Sequence, residues 1–321
     1  MNLLKYRLYF IGFFLFTMVL SVFFLFYNFH NGWGTRPGSS LNLGIDFTGG
    51  TKIYFPLSRP VTSNEVQAVL DSVKEQIPNL KTQAPQPSHN PDSKGIMRYK
   101  VMIYTSFLNN TEQEIVIKAL EAKFGKAEEN QGLEITRIDP LIGEELLNNA
   151  LTAVIIASVL MIIYIWFRFE LISGLAAVIA LIHDLLLVMG LIALFGLEIN
   201  ATIIAVLLTI LGYSINDTIV IFDRIRENLK YRTKDTRFVD IANDSILQTL
   251  RRSLYTGFTA ILSSMLLFIL VPNIRELCFG MLIGITSGTY SSIFVASPIW
   301  AVYKDWQEQK RLFSKPAAAG R

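Results

Sequence analysis

The chain has 321 residues, 51% of them hydrophobic, with a mean hydropathy of +0.40 and a formal net charge of +3. That balance excludes an ordinary soluble globule, and one cysteine, Cys278, with three scattered histidines excludes an internal disulfide and any expected metal site. No GxxxxGK[ST] loop and no Ser/His/Asp or Cys/His set occurs, so neither a nucleotide motor nor a hydrolytic enzyme is indicated, and no cofactor is expected.

The first apolar run, Leu8–Phe29, follows Lys5 and Arg7 in the manner of a secretory leader. It is too long for a cleaved apolar region, and His30-Asn31-Gly32 offers no small-x-small cleavage site. Residues 1–29 are therefore expected to stay as a cytoplasmic N-terminus and a first membrane helix.

Residues 30–147 form the one sizeable soluble domain. It opens on Leu43-Gly44-Ile45-Asp46-Phe47-Thr48-Gly49-Gly50, whose glycines imply turns or close backbone packing. A strand is predicted over Lys52–Leu57. Thr62-Ser63-Asn64-Glu65 has capping-box spacing ahead of Val66, Val69, Leu70, Val73 and Ile77, one face of a helix. Pro78, Pro85, Pro87 and Pro91 mark a loose connection, with a short strand predicted near Leu80–Gln83. Ile96–Tyr104 reads as a strand, Thr111–Glu114 as the cap of a helix with Val116, Ala119, Leu120 and Phe124 inward, and Leu133–Ile138 as a last strand. The order β-α-β-β-α-β predicts a split βαβ, ferredoxin-like α+β domain between membrane helices 1 and 2. Twelve basic residues balance twelve acidic ones between His30 and Leu141, which leaves no nucleic-acid footprint.

Residues 148–303 hold five more apolar runs: Ala150–Phe167, Leu171–Phe195, Asn200–Phe222, Leu254–Val271 and Leu277–Tyr303. At about 1.5 Å per residue each can cross the hydrocarbon core, giving an α-helical integral membrane protein of six spans. With a cytoplasmic N-terminus, sixteen Lys and Arg fall on the cytoplasmic side and one, Arg275, in the short loops opposite. Both termini are thus expected in the cytoplasm, with a cytoplasmic loop 223–252 and tail 304–321. The basic loop is interleaved with acids and could touch anionic headgroups; simple topology also accounts for it.

Candidate functional residues lie inside the spans. Asp217 sits in the fourth, where an ionised carboxylate costs several kcal/mol without a partner, water or a proton. Thr209, Gly212, Tyr213, Asn216 and Asp217 recur at helical spacing, opposite an apolar face of Ile204, Leu208, Leu211, Ile215, Ile219 and Phe222. The alternative is a carboxylate reaching for water near the helix end, which a short Asp side chain does poorly. In the fifth span Arg252, Thr256, Thr259 and Ser263 follow one another at spacings of four, three and four. Asp217 lies about 9 Å from the cytoplasmic end at which Arg252 begins, a depth compatible with a direct or water-bridged pair. Arg252 as a plain topology anchor stays open. His183-Asp184 in the third span is a second ionisable site, read either as part of a proton or water path or as a local helix–helix hydrogen bond. In the last span Gly280, Gly284, Gly288, Ser292 and Ala296 make a small-residue stripe suited to close helix contact.

Gly212-Tyr213-Ser214-Ile215-Asn216-Asp217-Thr218-Ile219-Val220, continuing through Asn228, resembles the fourth-span signature of the SecF family of protein-export membrane subunits. Leu43–Gly50 is similar to that family's entry to its extracytoplasmic domain, Ile142–Ala150 to its approach to the second span, and Gly288–Phe294 to its last span. The resemblance implies a six-span half of a resistance-nodulation-division type transporter in the bacterial cytoplasmic membrane. It implies SecD as the other half, the SecYEG channel and a translocating unfolded polypeptide as partners, and protons as the coupling ion. It further marks Asp217 and Arg252 as proton-path residues; Tyr213, Asn216, Thr256 and Asp184 join them as candidates by their spacing and depth. The family's hydroxyl-rich stretch is here Ser253-Leu254-Tyr255-Thr256-Gly257-Phe258-Thr259-Ala260, with Gly257 and Ala260 replacing hydroxyl residues. Two rival functions stand beside this one: half of a proton-driven small-molecule or lipid exporter, and a non-conducting scaffold.

Overall fold

A computed structural model describes residues 3–31, 41–82, 85–91, 97–125, 133–233, 236–271 and 274–313. Contacts divide the chain into two compact units, one of Met1–Asn42 with Thr152–Arg321 and one of Leu43–Leu151.

The second unit is the soluble domain. Its elements run α2 (Ile45–Thr48), β1 (Gly50–Leu57), α3 (Ser63–Val73), β2 (Gln86–Pro91), β3 (Met97–Thr105), α4 (Asn110–Phe124) and β4 (Glu134–Ile138). The four strands form one antiparallel sheet in the order β2-β3-β1-β4. Alternation along β1 and β3 buries Ile53, Phe55, Val101 and Ile103 against Val66 and Leu70 of α3 and Val116 and Leu120 of α4. Each helix starts where the chemistry of its cap allows. Thr62 accepts from the Glu65 amide at 3.3 Å. For α4 the box is Asn109 with Glu112, each side chain bonded to the other's backbone at 2.9 Å, two residues ahead of the expected Thr111–Glu114.

The second strand also departs from expectation. Around Leu80–Gln83 only Thr82 bridges to Thr105, and Gln83 lies outside the described residues; the strand proper is β2, which contains Pro87 and Pro91. Proline is tolerated there because β2 is the sheet's edge. Ile96 also lies outside the described residues, so β3 is described from Met97. At the entry to β1, Gly49 has φ +68° and Gly50 φ +133°, and a side chain on Gly49 would run into Pro140. Gly143 meets the same turn from the other side, since a Cβ there would lie 2.8 Å from the Gly49 amide nitrogen.

The other unit contains α1 (Arg7–Asn31), most of α5 (Pro140–Arg168), α6 (Leu171–Leu194), α7 (Ala201–Leu229), α8 (Phe238–Leu270) and α9 (Arg275–Ser291). A π-helical turn, Ser292–Ala296, joins α9 to α10 (Ser297–Phe313) in one long rod. Pro298 lacks the amide that would continue the ladder, which accounts for the irregular turn just before it. Among the described residues six helices are long and apolar enough to cross a membrane, so the chain is a multi-pass membrane protein. Several outrun the expected spans: α5 begins ten residues before Ala150, and α8 sixteen before Leu254. The extra turns of α7, α8 and α10 meet at one charged end. Arg232 makes a two-pronged pair with Glu308 at 2.5 and 2.7 Å, Arg237 binds Asp305 at 2.7 Å, and Arg168 binds Asp223 at 2.6 Å. The Glu308 and Asp305 carboxylates hold the Arg232 and Arg237 guanidinium groups above their ordinary range.

Candidate intramembrane functional site

Helix α7 takes part in two polar nodes, one at its own Asp217 and one that it reaches through Ser214. Asn200 caps the helix by accepting from the Ile203 amide at 3.1 Å. The apolar residues Ile203, Val206, Leu207, Ile210 and Leu211 then bury its first turns.

The first node is Asp217. It is buried at 9% exposure, and its Oδ1 accepts a hydrogen bond from the Ser253 hydroxyl of α8 at 2.5 Å. Its Oδ2 is buried with no hydrogen-bond partner. One turn back, the Tyr213 hydroxyl lies 3.5 Å from Thr289 Oγ1 of α9. Gly257 makes that meeting possible, because a Cβ there would sit 2.8 Å from Thr289 Oγ1 and 3.4 Å from the Tyr213 hydroxyl.

The other residues expected near Asp217 are placed differently. Asn216, Arg252, Thr256, Thr259 and Ser263 are exposed on this chain, and no ion pair joins Arg252 to Asp217. Adjacent helical residues point about 100° apart, so the face chosen from Arg252 onward lies beside the buried one. The buried face of α8 is Ser245, Thr249, Ser253, Gly257 and Ser264. The first four recur every four residues, and that small-residue spacing was the signal that could have found Ser253. Arg252 lines a cavity of about 410 Å³ with Asp223, Arg224, Glu227, Gln248 and Thr249, at the charged end of α7 and α8.

The second node is Asp184 of α6, 1% exposed. Its Oδ2 accepts from Ser214 of α7 and Ser291 of α9, both at 2.7 Å, and its Oδ1 from Ser287 of α9 at 2.5 Å. His183 Nδ1 lies 3.1 Å from Oδ1, and the other ring nitrogen lies 2.9 Å from Thr17 Oγ1 of α1. Groups from α6, α7 and α9 therefore converge on one carboxylate, both of whose oxygens are engaged, and α1 joins through His183. Of the two sequence readings, the helix–helix hydrogen bond is the one visible in the geometry. Ser287 and Ser291 escaped notice although they sit one turn apart beside the glycine stripe.

That stripe packs inside the chain. Gly280 faces Val206, Gly284 faces Ile210 and Gly288 faces Ser214 of α7. A Cβ at Gly288 would lie 3.0 Å from that of Ser214, and one at Gly284 would overlap Ile210 Cδ1. Ser292 continues the line, with its Oγ 2.8 Å from Thr218 Oγ1. The result is a close α7–α9 contact that brings Thr289 to Tyr213 and both serines to Asp184.

Comparison with known proteins places this arrangement. Residues 116–306 match the family described as protein export membrane protein SecD/SecF, C-terminal, and residues 41–61 match the SecD/SecF GG motif, which holds Gly49 and Gly50. The chain is 37% identical over 289 residues to protein translocase subunit SecF of Sebaldella termitidis, covering 89% of this chain and 87% of that one. It is 35% identical over 282 residues to the SecF of Alicyclobacillus acidocaldarius, covering 86% and 88%. Among solved structures it is similar to SecDF, a translocon-associated membrane protein, from a Thermus species, with 29% identity and a TM-score of 0.77. That match covers 95% of this chain and 38% of the SecDF chain, so this chain spans well under half of that structure.

Proposed function

The chain belongs to the SecD/SecF family of protein-export membrane proteins, and from that premise we propose that it is an accessory subunit of the Sec translocase. In this reading it pairs with SecD, works beside the SecYEG channel in the bacterial cytoplasmic membrane, and uses the proton motive force to promote export of unfolded polypeptides. The observation that carries the proposal is Asp217, a carboxylate inside a membrane span with one oxygen held by Ser253 and the other without a partner. A group so placed can take up and release a proton within the bundle, whereas the Asp184 oxygens are already occupied. Each charge crossing 100 mV is worth about 2.3 kcal/mol, enough to bias a packing change between two states.

Exposed polar residues on α7 and α8 support a membrane partner. The Thr209, Thr259 and Ser263 hydroxyls bond carbonyls of their own helices, whereas Asn216, Arg252 and Thr256 are open on this chain at positions within or bordering the spans, where lipid offers no hydrogen bonds. A SecD half with polar groups on its facing helices would satisfy them and bring Arg252 into the proton path. The soluble unit fits a ferredoxin-like reading, because its sheet order and its β-α-β-β-α-β sequence are those of that fold. The Lys and Arg bias supports an extracytoplasmic position for it and cytoplasmic termini. It would hold an emerging polypeptide and change its grip as Asp217 cycles.

The test is proton flux in vesicles containing the chain with SecD, together with export in cells. Flux and proton-dependent export that vanish in Asp217→Asn support the proposal. No flux with intact export support would leave the scaffold reading, and flux stimulated by a small amphiphile in place of a polypeptide would leave the exporter reading.

A further inference from the structure

We infer that Ser253 is the positioning residue for Asp217, fixing one carboxylate oxygen so that Oδ2 alone is left to receive the proton. Ser253 is 1% exposed and spends its hydroxyl on Asp217 Oδ1 at 2.5 Å. Oδ2 is buried and unpartnered, so the two oxygens are unequal before any proton arrives. The direction of approach follows from the neighbours of Ser253. Arg252 precedes it and Thr249 lies one turn before it, and both line the polar cavity of about 410 Å³ that also holds Asp223, Arg224 and Glu227. Ile219 and Val220, immediately beyond Asp217 on α7, line the same cavity. Ser253 thus stands between the charged vestibule and the carboxylate. The titratable and charged groups around Asp217 are few. Arg252 from α8 acts on it electrostatically, Tyr213 lies one turn back on α7, α9 presents the Thr289 hydroxyl, and on α6 His183 and Asp184 are bonded to Thr17, Ser214, Ser287 and Ser291. A hydrogen bond to the ionised form favours the charged state, so the Ser253 hydroxyl is a local lever on when Asp217 protonates.

The inference deepens the proton-coupling reading but can be checked without transport. The probe is the infrared carboxyl band that appears on acidification of the chain reconstituted with SecD, assigned to Asp217 by its loss in Asp217→Asn. Removing the donor in Ser253→Ala should move the pH midpoint of that band upward by about one unit. Ser253→Thr keeps the donor and should return it to the wild-type value, while Ser253→Cys, a weak donor of similar size, should fall between. If Ser253→Ala leaves the midpoint unchanged, or Ser253→Thr shifts it as far as Ala does, the positioning role is wrong. Should Ser253→Ala not fold, the Cys and Thr midpoints decide alone, and coincidence with wild type in both overturns the inference. Proton flux measured on the same vesicles separates the two claims: normal flux in Asp217→Asn defeats the coupling reading, whereas an unmoved band defeats only the role of Ser253.

Discussion

Asp217 and Asp184 are both carboxylates inside membrane spans, yet their surroundings differ: Asp217 has one oxygen bonded and one without a partner. Asp184 gathers three serine hydroxyls and a histidine from α6, α7 and α9, so removing it strands several donors at once. Asp184→Ala should cost about 3–5 kcal/mol, read as a large fall in the thermal midpoint of the purified chain in mild detergent. Asp217→Asn should fold and insert normally, since the amide is nearly isosteric and removes a charge from membrane depth, while proton-driven export is lost. A matching thermal midpoint beside absent export is the expected pair of results; full export would leave Asp217 with a structural role. Sequence alone singled out both aspartates because an ionisable residue in an apolar run is conspicuous. It missed their partners because Ser214, Ser253, Ser287 and Ser291 are ordinary in a membrane helix, and only folding shows where a hydroxyl points. Arg252 drew attention by its charge and led to the exposed face of α8, one residue away from the buried one.

At the scale of elements, α7 and α9 approach closely along a stripe of glycines. Gly280, Gly284 and Gly288 recur every four residues and meet Val206, Ile210 and Ser214 at the same interval, so two straight ridges lie together along several turns. The stripe was legible because its period is regular; its mate was not, because nothing in a row of glycines names the helix it touches. Gly284 is the tightest point. Gly284→Ala should destabilise the purified chain by about 1–3 kcal/mol through overpacking against Ile210. Ile210→Ala in the same chain should recover part of that loss, giving a coupling energy of opposite sign in a double-mutant cycle. Gly280→Ala should be milder, because its new Cβ would lie 3.0 Å from Val206 Cγ1, the tip of a side chain. Additive effects at Gly284 and Ile210 would mean that the two residues do not share a contact in the folded protein. The soluble sheet teaches a related lesson. Alternation in β1 and β3 exposed them to sequence reading, while the edge strand β2, rich in proline and polar residues, reads as a loop until its neighbour is known.

For the whole molecule the question is whether a proton taken up in the membrane is felt by the soluble domain. A protonation change can shift a distant domain only if the two positions of that domain differ in their coupling to Asp217. Linkage then runs both ways: fixing the domain must alter the protonation equilibrium of Asp217. Lys74 offers a handle for that test. It is exposed just past the end of α3 and pairs with Asp71, a surface bond worth about 0–1 kcal/mol. Gln67 is less suitable, because its amide bridges Asp71 and Thr82. With the buried Cys278 changed to serine, a cysteine in place of Lys74 would be oxidised to one on the facing domain of SecD. Export should stop in the oxidised state and return on reduction, with the spans intact in both. The Asp217 carboxyl band should change its pH midpoint when the bridge closes. Full export with the domain demonstrably locked, or a midpoint indifferent to the lock, would leave the domain as a static platform and sever it from the proton.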